Sequence, residues 1–212
     1  NFIMLKMMVE NQMKQPMDQL LHNDFYSRLG ARHTTYNPLK VMDTLQIVPT
    51  EDDRFVRRQL IRGYVHDEAA AFQGGVSGNA GLFSNANDLA KVLQLFLNQG
   101  KYGNEQYLSA ETCRLFTQSK SPTSRRGLGF DKPAVGSHKG SPCSSLTPPS
   151  VYGHTGFTGT CFWVDPTNQL LYIFLCNRVN PSRANSKLSA LDIRTRIQDA
   201  IYKSIDRKSQ KD

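Results

Sequence analysis

Tyr152-Gly153-His154-Thr155-Gly156-Phe157-Thr158-Gly159-Thr160, running on through Cys161-Phe162-Trp163-Val164, is the stretch on which the fold turns. Its three glycines cost a strand backbone entropy. They belong where something approaches the backbone closely. The imidazole of His154 and the hydroxyl of Thr155 would offer a bound group a donor, an acceptor and a hydroxyl. The same composition also describes a plain bulge or tight bend, and composition alone does not separate the two. Residues 152–164 and 170–177 are β-branched and aromatic with a period of two, joined by the turn sequence Asp165-Pro166-Thr167-Asn168. They read as an antiparallel hairpin. Trp163, alternating with Phe162, reads as core.

Downstream, Leu188, Leu191, Ile193, Ile197 and Ile201 predict a closing amphipathic helix. Upstream, 131–150 is rich in Pro, Gly and Ser and reads as a surface loop. Ser109 with Thr112 opens a short helix to about Gln118. Before it, Ala86, Leu89, Ala90, Val92, Leu93, Phe96 and Leu97 repeat at helical spacing, with Ser84 as the expected cap and Gly100 as the stop. Residues 38–81 are irregular, with a charged run (Glu51, Asp52, Asp53, Arg54) and a glycine cluster (Gly74, Gly75, Gly78, Gly81). Pro16 opens a helix to about Tyr26, stopped by Gly30. Residues 2–12 form a helix whose methionines, with Met13 and Met17, read as a packing face. Helices, a hairpin and a last helix predict an α+β fold with that helix on the sheet. One domain, 1–212, is expected, with 1–120 mainly helical and 121–212 the sheet part.

The 212 residues are 39% hydrophobic and 21% charged, with no apolar run long enough to cross a bilayer. The net charge of +8 suggests an anionic partner. However, Lys203, Arg207, Lys208 and Lys211 sit in a polar tail, and Arg57, Arg58, Arg125 and Arg126 are scattered pairs without interleaved aromatics. A nucleic-acid partner is therefore not expected. The four cysteines, Cys113, Cys143, Cys161 and Cys176, have no metal-ligand spacing, and consecutive His66-Asp67-Glu68 project in different directions. No metal or cofactor is expected; a loop salt bridge suits His66-Asp67-Glu68 better. His22, His33 and His138 stand alone as polar surface residues. The chain opens on Asn1 inside an amphipathic pattern, which reads as a cut within a larger protein.

His154-Thr155-Gly156 followed by Phe157-Thr158-Gly159-Thr160, an apolar strand, an Asp-Pro turn and a second strand ending Cys176-Asn177-Arg178 resembles the Lys-Thr-Gly strand of serine β-lactamases and penicillin-binding proteins. The likeness is greatest to the class C branch, with its esterases and D-amino-acid peptidases, where His often replaces Lys. Upstream pieces fit in order: Leu29-Gly30-Ala31-Arg32-His33-Thr34-Thr35, Arg62-Gly63-Tyr64-Val65-His66-Asp67, Gly75-Val76-Ser77-Gly78-Asn79-Ala80-Gly81-Leu82-Phe83-Ser84, Asn87-Asp88-Leu89-Ala90 and Gly127-Leu128-Gly129-Phe130. The resemblance implies a truncated β-lactamase/DD-peptidase-like domain.

Two family motifs do not match. No serine has a lysine three positions on; the nearest string, Thr117-Gln118-Ser119-Lys120, begins with Thr at a helix end. Tyr102-Gly103-Asn104 has the letters of the tyrosine motif but falls in a turn after Gly100. The resemblance implies that nucleophile and lysine lie upstream in the parent, so this chain alone is expected to be inactive. By the same resemblance, His154 orients substrate or a tyrosine, Thr155 offers its hydroxyl, Gly156 lets substrate lie against the strand, and the Phe157 N–H is one oxyanion donor. Asn79 and Ala80 line the cleft. Asn177, Asn180 and Arg183 lie near carboxylate contacts, though strand capping suits each better. Implied substrates are D-amino-acid peptides such as cell-wall stems, simple esters or β-lactams, in the periplasm or cell envelope, with fusion behind a cell-wall glycoside hydrolase as one context. The alternatives are a non-catalytic cell-wall-binding module and a basic nucleic-acid-binding protein. Removing upstream strands would leave an open sheet edge, so self-association or domain swapping is expected.

Overall fold

The computed structural model describes residues 1–134 and 141–209. His138, the middle of the 131–150 loop and Lys211 of the basic tail lie outside the described residues. Contacts divide the chain into two compact units, Asn1–Val92 with Asn177–Asn185, and Leu93–Cys176 with Ser186–Asp212.

The first unit opens with α1 (Phe2–Met13), braced by a Lys6–Glu10 pair at 3.0 Å. No residue of α1 is buried, and Met4, Met7, Met8 and Met13 are all more than half exposed. Among the described residues no element covers those side chains, so the packing expected of that face is not made there. Pro16 stands at the head of α2 (Met17–Leu21), which widens into a π-helical turn at His22–Tyr26 before Gly30 ends it at φ +66. β1 (Thr35–Tyr36) lies just before the irregular region, which holds β2 (Pro49–Asp53), β3 (Gln59–Arg62) and α3 (Glu68–Phe72), and β4 (Leu82–Phe83) lies just after it. β1 pairs with β4 and β2 with β3, both antiparallel. The first 120 residues thus carry short sheets as well as helices.

The β2–β3 hairpin is built around a carboxylate. Asp53, fully buried, accepts the backbone N–H groups of Phe55 (2.9 Å), Val56 (3.0 Å) and Arg57 (3.2 Å), and Arg57 Nε at 2.7 Å. Burial would raise its pKa, but these donors outweigh that and hold it well below the carboxylate range. The expected cap of α4 (Ala86–Leu97) moves by one residue: Asn85 Oδ1 accepts from Asp88 N at 2.9 Å. A cap serves the N–H three residues on, and with the helix starting at Ala86 that residue is Asn85. Ser84 instead bonds Thr34 Oγ1 at 2.7 Å.

In the second unit Gly100, at φ +92, ends α4 through its N–H on Leu95 O (2.8 Å); a Cβ there would sit 2.0 Å from Leu108 O. β5 (Lys101–Tyr102) and β6 (Glu105–Gln106) form a hairpin in which Tyr102 ends β5 and Gly103-Asn104 make the turn. α5 (Ala110–Thr117) is capped by Ser109 Oγ, accepting from Thr112 N at 3.0 Å.

The expected hairpin is a three-stranded antiparallel meander: β7 (Tyr152–Thr155), β8 (Cys161–Asp165) and β9 (Leu170–Phe174). The 152–164 run is not one strand because the chain reverses at residues 156–160, where Gly156 N bonds Thr160 O at 2.8 Å and Gly159 sits at φ +113. Trp163, Cys161, Cys143, Val151 and Tyr172 make one core cluster, and Leu93, Leu97, Tyr152 and Val164 another. Burial pushes the Cys161 thiol up to about 11, so it behaves as a small apolar group.

The closing helix is broken into α6 (Lys187–Ala190) and α7 (Ile193–Ser209) by Asp192 at φ +48, a left-handed conformation that helices do not propagate. α7 meets the sheet unit through Tyr202 Oη on Asp165 Oδ2 (2.6 Å) and Arg194 O, which accepts from Tyr172 Oη (2.9 Å). Among the described residues no helix is long and apolar enough to cross a membrane.

Candidate active site

β7 is held on both sides at one point. Gly153 faces Trp163 across β8, and its N–H and C=O exchange bonds with Asp131 at 2.9 and 2.7 Å. In an antiparallel ladder, residues whose groups turn toward the partner strand alternate with residues whose groups turn away. Gly156 with Thr160 is a bonded pair, so His154 with Phe162 is too, while Gly153 and Thr155 turn their backbone groups to the outer edge. Asp131 takes the edge at Gly153. Two residues on, the edge belongs to Thr155.

His154 closes part of that position with its own ring: Nδ1 lies 2.8 Å from Thr155 O. A carbonyl only accepts, so Nδ1 carries the proton and Nε2 is the acceptor of the neutral ring. Gly156 has a reason within the chain, since a Cβ there would meet Thr160 Oγ1 at 2.5 Å. Gly153 has one also, its Cβ falling 2.0 Å from Phe162 O. Phe157, in the turn, is 63% exposed. Asp131, 3% exposed, is clamped by Arg125 through Nε–Oδ1 and Nη2–Oδ2 bonds of 2.7 and 3.0 Å. The sequence does not single out Asp131; its one signal there is that it directly follows Gly127-Leu128-Gly129-Phe130.

The remaining candidates lie in the first unit. Asn79 is exposed and oriented: Ser77 Oγ donates to its Oδ1 (2.7 Å), and its Nδ2 donates to Asp67 Oδ1 (3.2 Å), the carboxylate that also caps α3 through Ala70 N (2.8 Å). Ala80 beside it is half-buried. Asn177 Nδ2 bonds the carbonyls of Pro49 and Thr50, tying the segment after β9 to β2. Asn180, half-buried, precedes a cis bond to Pro181.

Arg183 is engaged by two carboxylates. Its Nε and Nη2 bond Glu51 at 2.8 and 2.7 Å, its backbone N bonds Glu51 at 3.1 Å, and its Nη1 bonds Glu68 at 2.7 Å. Burial would raise the Glu51 pKa, but the Arg183 bonds outweigh it and hold the group below its usual value. His66 Nε2 lies 2.9 Å from Glu51 Oε2; burial, partly offset by Glu51, lowers the imidazole pKa. His66-Asp67-Glu68 is thus an ion-pair and capping cluster, and no group of three potential metal ligands occurs among the described residues.

The strand β7 leading into Gly156, its antiparallel meander and the closing helix fit a β-lactamase-like fold. The β-lactamase family model matches residues 1–195, and the chain belongs to that family. It is 38% identical over 191 residues to a "Putative D-alanyl-D-alanine carboxypeptidase" of Escherichia coli K12, covering 84% of this chain and 44% of that protein. A Salmonella schwarzengrund protein of the same description is 36% identical over 202 residues, covering 89% and 46%. The chain therefore spans less than half the length of these relatives. Two solved structures share the fold: a β-lactamase from Mycobacterium bovis (TM-score 0.63, 20% identity, 96% of this chain and 61% of that one) and simvastatin synthase from Aspergillus terreus (TM-score 0.61, 17% identity, 93% and 52%).

Proposed function

We propose that this chain is the C-terminal part of a serine acyl-transfer hydrolase domain acting on D-amino-acid peptides of the cell wall, with esters and β-lactams as related acyl donors. The observation that carries this reading is the outer edge of β7, where Asp131 occupies Gly153 and the backbone at Thr155 faces away from the sheet. A substrate backbone laid along that edge would bond there. The Thr155 hydroxyl would serve its carboxylate or carbonyl, and His154 Nε2 would accept a proton from a substrate or tyrosine hydroxyl. The Phe157 N–H would be one oxyanion donor, a group whose loss typically costs about 10²–10³ in rate. The attacking serine and its lysine would come from sequence outside these 212 residues. Asn79 and Ala80 would border the substrate, and Asn177 and Asn180 would support the segment beside β2. Arg183, already held by Glu51 and Glu68, would support the same segment rather than meet substrate. An envelope location is proposed with it, because the relatives bear the name "Putative D-alanyl-D-alanine carboxypeptidase" and D-alanyl-D-alanine peptides belong to the cell wall.

The test is made on the full-length protein with a D-alanyl-D-alanine peptide and a fluorescent penicillin. Covalent labelling by the penicillin and release of D-alanine are expected. In His154→Ala, turnover should fall with the circular dichroism spectrum unchanged. Wild-type activity of that variant from about pH 5 to 9 would remove His154 from the mechanism. Absence of labelling and turnover in the full-length protein would favour a binding module.

A further inference from the structure

At the far end of β7 from the Gly156–Thr160 turn, the second unit contains a cavity of about 610 Å³. That volume lies within the range that holds small organic ligands, about 300–1,000 Å³. Phe96, Tyr152 and Cys113 give it an apolar wall, and Lys132 and Arg114 bring two positive charges. Among the described residues that line it, none is Asp or Glu.

Lys132 is half-buried, and of its three ammonium donors one is placed on Val151 O at 3.1 Å. Burial lowers its pKa, the mark of a cation that gains from an anion beside it. Arg114 is exposed, with Nη1 at 3.5 Å from Gln99 Oε1, a long contact that leaves the guanidinium able to turn inward.

We propose that this cavity binds a small anionic amphiphile, its carboxylate on Lys132 and Arg114 and its apolar body against Phe96 and Tyr152. The site is separate from the acyl-transfer reading and does not depend on it.

The test is calorimetric titration of the full-length protein with decanoate, decanol and decyltrimethylammonium, repeated on Lys132→Met and Arg114→Gln. Decanoate should bind best. Losing a hydrogen bond to a charged group should weaken decanoate roughly tenfold in Lys132→Met and leave decanol unchanged. Arg114 is exposed, so Arg114→Gln should fold normally and weaken decanoate even if Lys132→Met proves unstable. Bound decanoate should also slow alkylation of Cys113 by iodoacetamide, which places it in this cavity rather than at Thr155. Equal affinity for decanoate and decanol, unchanged decanoate affinity in Arg114→Gln, or unprotected Cys113 would overturn the proposal.

Discussion

Replacing Arg183 with Met separates a structural role from a substrate role. The side chain of Glu51 is 1% exposed and would lose its two guanidinium bonds while keeping the backbone N–H of residue 183 and the neighbouring His66. Breaking a buried pair by removing one partner costs about 3–5 kcal/mol, because the remaining charge is stranded. Arg183 is 25% exposed and Glu51 keeps some contacts, so the low end applies, about 3 kcal/mol. For the 212 residues alone that would lower Tm by about 6–12 °C, and by less in a longer full-length protein. The assay is urea and thermal unfolding of the full-length protein at neutral pH, with Glu51→Gln and the double variant completing a cycle. The double variant should recover part of the loss, since it strands no charge. A loss below about 1 kcal/mol, as for an exposed pair, combined with a raised KM, would refute this reasoning and return Arg183 to the substrate.

Acid should weaken the first unit. Glu51 has a lowered folded pKa, so its contribution is present above the unfolded value of 4.5 and is lost as pH falls through the folded one. His66 also has a lowered folded pKa, so the unfolded chain binds its proton first below 6.5 and stability again declines with acid. Unfolding curves from about pH 7 down to about pH 2 should show a steady fall, and His66→Gln should remove its upper part, near and below 6.5; a flat profile over that whole range would mean that neither group is coupled to folding. Gly153→Ala should disrupt β7–β8 pairing, since its Cβ would lie 2.0 Å from Phe162 O, at a cost of about 1–3 kcal/mol or more; wild-type stability would show that the strands can part there. With Met4 59% and Met8 65% exposed, the isolated chain should self-associate, measured by light scattering across a dilution series; a monomer at high concentration would show that these side chains find cover within the chain.

What could be read from the sequence was the part governed by local rules. The α4 periodicity, the Gly100 stop, the Ser109 cap and the apolar period-two runs depend on neighbours within a few residues. β2 was invisible because its buried face is made of carboxylates: Glu51 and Asp53 are inward, so hydropathy shows a charged run where the structure has a strand. Their burial is made tolerable by Arg57, four residues from Asp53, and by Arg183, which reaches Glu51 across 132 positions. No window on the sequence could join that last pair. The split of 152–164 was hidden for the opposite reason, since a Gly-rich strand and a Gly-rich turn share their letters. The same distance problem affected the site: His154, Thr155 and Gly156 were picked out together by adjacency, while Asp131 was passed over because its role is a backbone exchange with Gly153.

That exchange fixes the phase of anything that joins β7. With Gly153 already bonded to Asp131, an arriving chain can start only at Thr155, and a shift by one residue would meet groups committed to β8. Side chains alternate along a strand, so the same constraint decides which substituents of the arriving chain point toward His154 and which point away. The backbone would thereby sort incoming chains by alignment, with the His154 ring beside the Thr155 carbonyl.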